Sequence, residues 1–163
     1  MKVGQKSNRI ILGIDPGYGR VGWGVVNVDG NDLRCLGYGC FETSKEEEIA
    51  QRLAMINNEI RAIIQKFKPT DIAIEELFWG RNVTTGIKVS MARGVIMVCA
   101  VEHTGRIYEY KPNQVKQAVT GVGNADKGQV QFMVQRILGL AEKPKPDDCA
   151  DALAIAICHS SQL

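Results

Sequence analysis

The chain has 163 residues, 45% hydrophobic and 23% charged, the composition of an ordinary globular domain able to bury roughly 70% of its unfolded surface. No uninterrupted apolar run approaches the roughly 20 residues needed to cross a bilayer, and the polar opening "MKVGQKSNRI" lacks the apolar core of an export signal. A net charge of +2 does not announce a polyanionic partner, and five scattered cysteines without a CxxC pair argue for reduced thiols in a cytoplasmic protein and against a zinc ribbon.

In chain order, "RIILGI" reads as a buried strand because its apolar residues run on without polar alternation. "VGWGVVNV" and "LRCLGYGCFE" follow as a second and third strand around the turn "DGND", whose Asp-Gly pair signals a hairpin. Ser44 with Glu47 predicts a capping box, and Ile49, Leu53, Ile56, Ile60, Ile63 and Phe67 recur at helical spacing until Pro69. "DIAIEE" is a fourth strand. A second helix is predicted over 83–103, with Gly94 able to admit a close neighbour, and "RIYEY" is the fifth strand. Two shorter helices over 113–119 and 127–138 flank the loop "TGVGNAD", and a last helix runs through "DDCADALAIAICHS". Strands that follow helices pair in parallel, whereas the opening hairpins are antiparallel. The expectation is an α/β protein with a mixed five-stranded sheet and helices on both faces. The organisation is a tail over 1–8 and one domain over 9–163.

Acids stand where core elements end. Asp15 follows "IILGI", Glu75 follows "DIAI", and Asp148 and Asp151 open the last helix. Taken singly, each has an ordinary explanation as a turn former, a strand end or a first-turn helix acid. Taken together, Asp148 and Asp151 share a helical face, and adjacent parallel strands set Asp15 beside Glu75. Clustered carboxylates repel and raise one another's pKa unless a cation neutralises them, and oxygen-only ligands suit Mg²⁺ or Mn²⁺. Two such ions support phosphodiester cleavage by an activated water, with no protein nucleophile. Cys149 reads as a packing residue, and His103 and His159 as satisfied or surface histidines, with His159 close enough to the last motif to stand behind the acids. The five glycines around Asp15 also fit a phosphate loop of the actin-like or sugar-kinase type, but such enzymes need a second lobe that this chain does not supply.

The segments "ILGIDPG", "AIEELF", "ARGV", "QVKQAVTGVGNADKGQV" and "DCADALAIAICH" resemble the motifs of the RuvC family of bacterial Holliday junction resolvases, in order, from about Arg9 to His159. The resemblance implies a ribonuclease H-like fold, a homodimer, and Mg²⁺-dependent nicking of two opposed strands of a four-way DNA junction, with Mn²⁺ able to substitute. It places the family's catalytic, metal-holding acids on Asp15, Glu75, Asp148 and Asp151, and backbone contacts on Lys116 and Lys127. It also implies that Phe78 stacks on an unpaired base at the junction centre, and that the RuvA–RuvB branch-migration machine is a partner. Arg81 belongs with the DNA contacts: from Arg81 to Lys127 seven basic residues face three acids, a local excess suited to phosphate.

Overall fold

The computed structural model describes residues 8–77 and 83–163. Phe78 and Arg81 therefore lie outside the described residues. Five strands form one sheet, β1 (Arg9–Asp15), β2 (Arg20–Asp29), β3 (Asp32–Glu42), β4 (Asp71–Glu75) and β5 (Tyr108–Tyr110), in the order β3-β2-β1-β4-β5. β3, β2 and β1 pair antiparallel, and β1, β4 and β5 pair in parallel. The hairpin between β2 and β3 turns at Gly30, whose φ of 62° is the left-handed conformation that glycine adopts without strain. This is the ribonuclease H-like, mixed-sheet fold expected from the element order.

Helices cover both faces. α1 (Ile49–Phe67) and α2 (Val83–Thr104) close one face over Leu12, Ile14, Val21, Val25, Ile72 and Ile74. α3 (Pro112–Thr120), α4 (Lys127–Ile137) and α5 (Asp147–Ser160) close the other over Ile11, Val26, Val28 and Ala73. The alternation is strict on β1 and β4, so a residue's parity decides which core it joins.

Two expectations need correction. The Ser44–Glu47 capping box does not form: α1 begins only at Ile49, its N-cap Glu48 supplies no side-chain bond, and Ser44 instead accepts from Glu46 N in a preceding turn. The spanning-length expectation holds for uninterrupted runs but fails on average hydropathy. By length and composition α2 is apolar enough to cross a bilayer, and 22% of its 18-residue apolar stretch is buried within the chain. Val83, Ile87, Met91, Val98 and Val101 are exposed along it, and a methyl group at Gly94 would meet nothing within 4 Å. No neighbour within the described residues uses the approach that Gly94 allows.

Candidate active site

β1 and β4 deliver two acids to one place. Their register pairs Ile14 with Ile74, so Asp15 and Glu75 end adjacent parallel strands abreast. Both follow the parity of Ile11 and Ala73, which packs them toward α5 and away from α1 and α2.

α5 brings the other two, and glycines let it come close. A Cβ added at Gly13 would stand 2.1 Å from the Ala152 carbonyl oxygen, and one at Gly22 2.3 Å from that of Asp148. At Gly24 the Leu153 side chain lies 2.6 Å from the same position. These three glycines form a bed on β1 and β2 on which the helix rests backbone to backbone. The helix sits over the strands, with Asp148 beside Gly22 and Asp151 one turn on, above Asp15. The glycine-rich opening is thus a seat for a helix. Only Gly17 serves a tight turn, its would-be Cβ standing 2.3 Å from the Arg20 oxygen.

The electrostatics follow from this packing. Burial, then the charges of Asp151, Glu75 and Asp148, push Asp15 up to about 8. Burial and Asp151 raise Glu75 to about 6 against the opposing Lys116 and Lys127. Burial raises Asp151 to about 6 as well; Lys127 and Lys116 oppose that rise, while Asp147 and Asp148 add to it. The fold therefore holds acids that resist ionisation in the absence of a cation. The donor set is all carboxylate oxygen, which suits a hard divalent ion. Among the described residues no three acid, histidine or cysteine side chains already converge on one point at ligating distance. The carboxylates would have to draw together on an ion.

The neighbours sort by what they touch. Arg20, which the sequence reading did not single out, reaches Asp148 at 3.3 Å and Glu42 at 2.5 Å. Lys127 donates to Asp147 at 2.6 Å, and this partner holds Asp147 below the usual carboxylate range. Lys116, on α3, is half-buried and acts on Glu75 and Asp151 through its field. The Glu76 amide donates to the Tyr110 carbonyl, continuing the sheet at 2.7 Å. Cys149 is 1% exposed and burial pushes its thiol up to about 11, so it packs and does not attack. His159 does not stand behind the acids: it lies at the far end of α5, with Tyr110 Oη 2.6 Å from its Nδ1. His103 Nε2 rests 3.0 Å from the Pro69 oxygen.

Residues 11–159 match the family model described as crossover junction endodeoxyribonuclease RuvC. A protein of that name from Petrotoga mobilis is 49% identical over 152 residues, covering 93% of each chain. One from Heliobacterium modesticaldum is 51% identical over 154 residues, covering 94% of this chain and 95% of its own. Among solved structures, Thermus thermophilus RuvC in complex with a Holliday junction substrate superposes with a TM-score of 0.88 at 40% identity, covering 93% of each chain.

Proposed function

This chain belongs to the RuvC family of crossover junction endodeoxyribonucleases, and we propose that Asp15, Glu75, Asp148 and Asp151 are the acids with which it cuts. It is a nuclease that resolves four-way DNA junctions by metal-dependent phosphodiester hydrolysis. The observation that carries the site assignment is the convergence of four acids from β1, β4 and α5 at one end of the sheet, where burial and three like charges push Asp15 up to about 8.

Mg²⁺ is the ion these oxygens fit, two per site, with Mn²⁺ as a substitute. When bound, the metal supplies a Lewis acid that makes a water nucleophilic near neutral pH and offsets charge on the leaving oxygen. The chain does the rest. Asp15, central in the cluster, and Glu75 hold from the strand ends, which the sheet fixes. Asp148 and Asp151 hold from α5, whose height above β1 and β2 the three glycines set. Arg20 competes for Asp148 and limits how tightly that carboxylate binds elsewhere. Lys116 and Lys127 face the acids from α3 and α4, where a scissile strand's phosphates would lie. The proposed stacking of Phe78 and contact of Arg81 fall on residues outside those described.

A homodimer with a two-fold axis explains paired nicks, one per subunit. Its contact is α2: Val83, Ile87, Met91, Gly94, Val98 and Val101 recur at spacings of three and four residues along one exposed stripe. We read residues 9–163 as a single nuclease domain preceded by a tail over 1–8, acting in the cytoplasm with RuvA–RuvB as partner. The test is cleavage of a synthetic mobile four-way junction in Mg²⁺ by wild type and by Asp15→Asn. Paired symmetric nicks by the first and none by the second are expected. Single nicks, or full activity in the variant, overturn the assignment.

A further inference from the structure

Tyr18 lies three residues after Asp15, in the loop that leaves β1 at the acid-bearing end of the sheet. Its ring carries a cation twice over. The Arg52 guanidinium sits 4.4 Å from the ring centroid and the Lys88 ammonium 5.3 Å, so the two charges are no further apart than those distances allow, about 10 Å. One cation on an aromatic face is ordinary packing. A second on the same ring brings repulsion that the ring does not remove.

Arg52 makes the imbalance sharper. It is 7% exposed, and a buried charge is normally paired with an acid. Its partners are all neutral: Nε donates to Thr43 Oγ1 at 2.8 Å, and Nη2 to the Tyr18 carbonyl at 3.4 Å. Thr43 Oγ1 donates in turn to that same carbonyl, so the guanidinium is held in a fixed place against the loop. Neither Arg52 nor Lys88 has an ion pair with a carboxylate among the described residues. Arg52 also stands in the first turn of α1, where the helix dipole disfavours positive charge. The first turn holds no acid and no side-chain cap to offset it. Gly19 and Thr43, both against Arg52, line an open groove of about 550 Å³. Its carboxylate, Glu42, is already taken by Arg20.

We propose that Arg52 and Lys88, both held against the Tyr18 ring, form a binding site for a DNA backbone phosphate on the opposite flank of the acids from Lys116 and Lys127. The geometry of the flanks is fixed by the fold. Lys116 and Lys127 ride on helices that cover one face of the sheet, and Arg52 and Lys88 on the helices that cover the other. A strand passing over the ends of β1 and β4 meets the acids between two cationic anchors, one before the cut and one after it. A phosphate bound by Arg52 and Lys88 offsets one of the two positive charges and relieves their mutual repulsion, in a place where neither pairs with a carboxylate among the described residues. The inference rests on the reading of the chain as a junction nuclease.

The test is a salt titration of binding by the full chain without divalent ions, on a fluorescent four-way junction and on a linear duplex of the same sequence. Lys88→Gln should weaken binding about 3- to 10-fold and flatten the slope of log K against log salt by about 0.9, the loss of one phosphate contact. Lys88→Arg should restore the slope. Arg52→Lys, which keeps the charge and loses the fork, should weaken binding while leaving the slope near that of wild type. Lys66→Gln is the control: Lys66 sits over Phe67 at the other end of α1, about 21 Å along the helix from Arg52. Thermal unfolding of each variant reports whether it is folded, and Lys88→Gln suffices if Arg52→Lys is not. An unchanged slope in folded Lys88→Gln, or an equal loss in Lys66→Gln, overturns the proposal. Failure of the wild type to nick the junction, with duplex binding and the Lys88 effect intact, instead overturns the junction reading and leaves the phosphate site standing. Binding of neither DNA overturns both.

Discussion

α5 lies along the sheet with an acid beneath each end, Asp71 buried and Asp15 half-buried, and the two are treated in opposite ways. Under its C-terminal end Asp71 is 2% exposed and fully paired. Arg9 grips it through Nη2 and through Nε at 2.8 Å, Thr70 donates at 2.8 Å, and His159 Nε2 stands 3.5 Å away. Burial pushes this carboxyl upward, but Arg9, Thr70 and His159 together bring it below the usual range. Under the N-terminal end Asp15 meets burial and three like charges, and is raised to about 8. Burial alone therefore does not mark a working acid. The mark is burial without compensation, which the fold tolerates only where something binds.

Asp15→Asn should have the largest effect. We expect cleavage to fall by at least about a thousandfold, since a carboxylate in contact with the reacting centre is lost. The same change should raise the melting temperature of the metal-free protein at neutral pH, because the Asp15 carboxyl must take up a proton to fold among the other acids and the amide need not. A fall in melting temperature would place Asp15 with Asp71 as a structural acid and erase the contrast. Next comes Gly13→Ala. A methyl group 2.1 Å from a helix carbonyl forces α5 off the sheet, at a cost of about 3 kcal/mol, and moves Asp148 and Asp151 together. Activity should drop further than stability, as read by residual cleavage well below the unfolding temperature.

This glycine also shows how far the sequence could be read. The order of elements along the chain, the mixed pairing and the parallel placing of Asp15 beside Glu75 follow from periodicity and from which segments helices separate. Asp148 and Asp151 are legible because their spacing puts them on one helical face. The role of Gly13, Gly22 and Gly24 is not legible, since a glycine in a strand serves equally for a turn, a strand neighbour or a helix; only the crossing of α5 decides. Arg20 and Arg52 were invisible for a related reason. An arginine's meaning is set by whether a carboxylate lies across a gap of many residues, as Asp148 does for Arg20 at 128 positions' remove. For His159, nearness in sequence to Asp151 becomes distance along a helix, so the sequence sets it behind the acids and the structure does not.

The two ends of α5 should also differ in pH response. Asp71 has a folded pKa below its unfolded value, so its contribution is present above about pH 4 and is lost as pH falls. Asp15 has a folded pKa of about 8 against an ordinary 3.8, so the metal-free fold loses stability as pH rises from about 4 to 8. Saturating Mg²⁺ should reverse the second trend and leave the first alone. Asp71→Asn should cost about 2–3 kcal/mol in chemical denaturation, less than for a sealed ion pair because the Arg9 side chain is 32% exposed. It should also flatten the acid limb only. A loss on the alkaline limb in this variant would mean that the ends are coupled through the helix.

The smallest effect is expected at Lys116. Its charge lowers the pKa of Glu75 and Asp151 from α3, so it acts on the acids as well as on the DNA strand proposed to pass there. Lys116→Ala should weaken junction binding and flatten its salt dependence by about one counterion. It should also raise the pH at which Glu75 and Asp151 ionise, shifting the acid limb of the Mg²⁺-supported cleavage profile upward. Among the described residues the charged groups that act on Asp71 are Arg9 and His159, on neither α3 nor α4, so the acid limb of unfolding should not move. If Lys116→Ala changes the salt slope but not the cleavage profile, Lys116 serves the DNA alone. If it changes neither, the partly compensating field at the acid end comes from Lys127, which Asp147 holds at 2.6 Å.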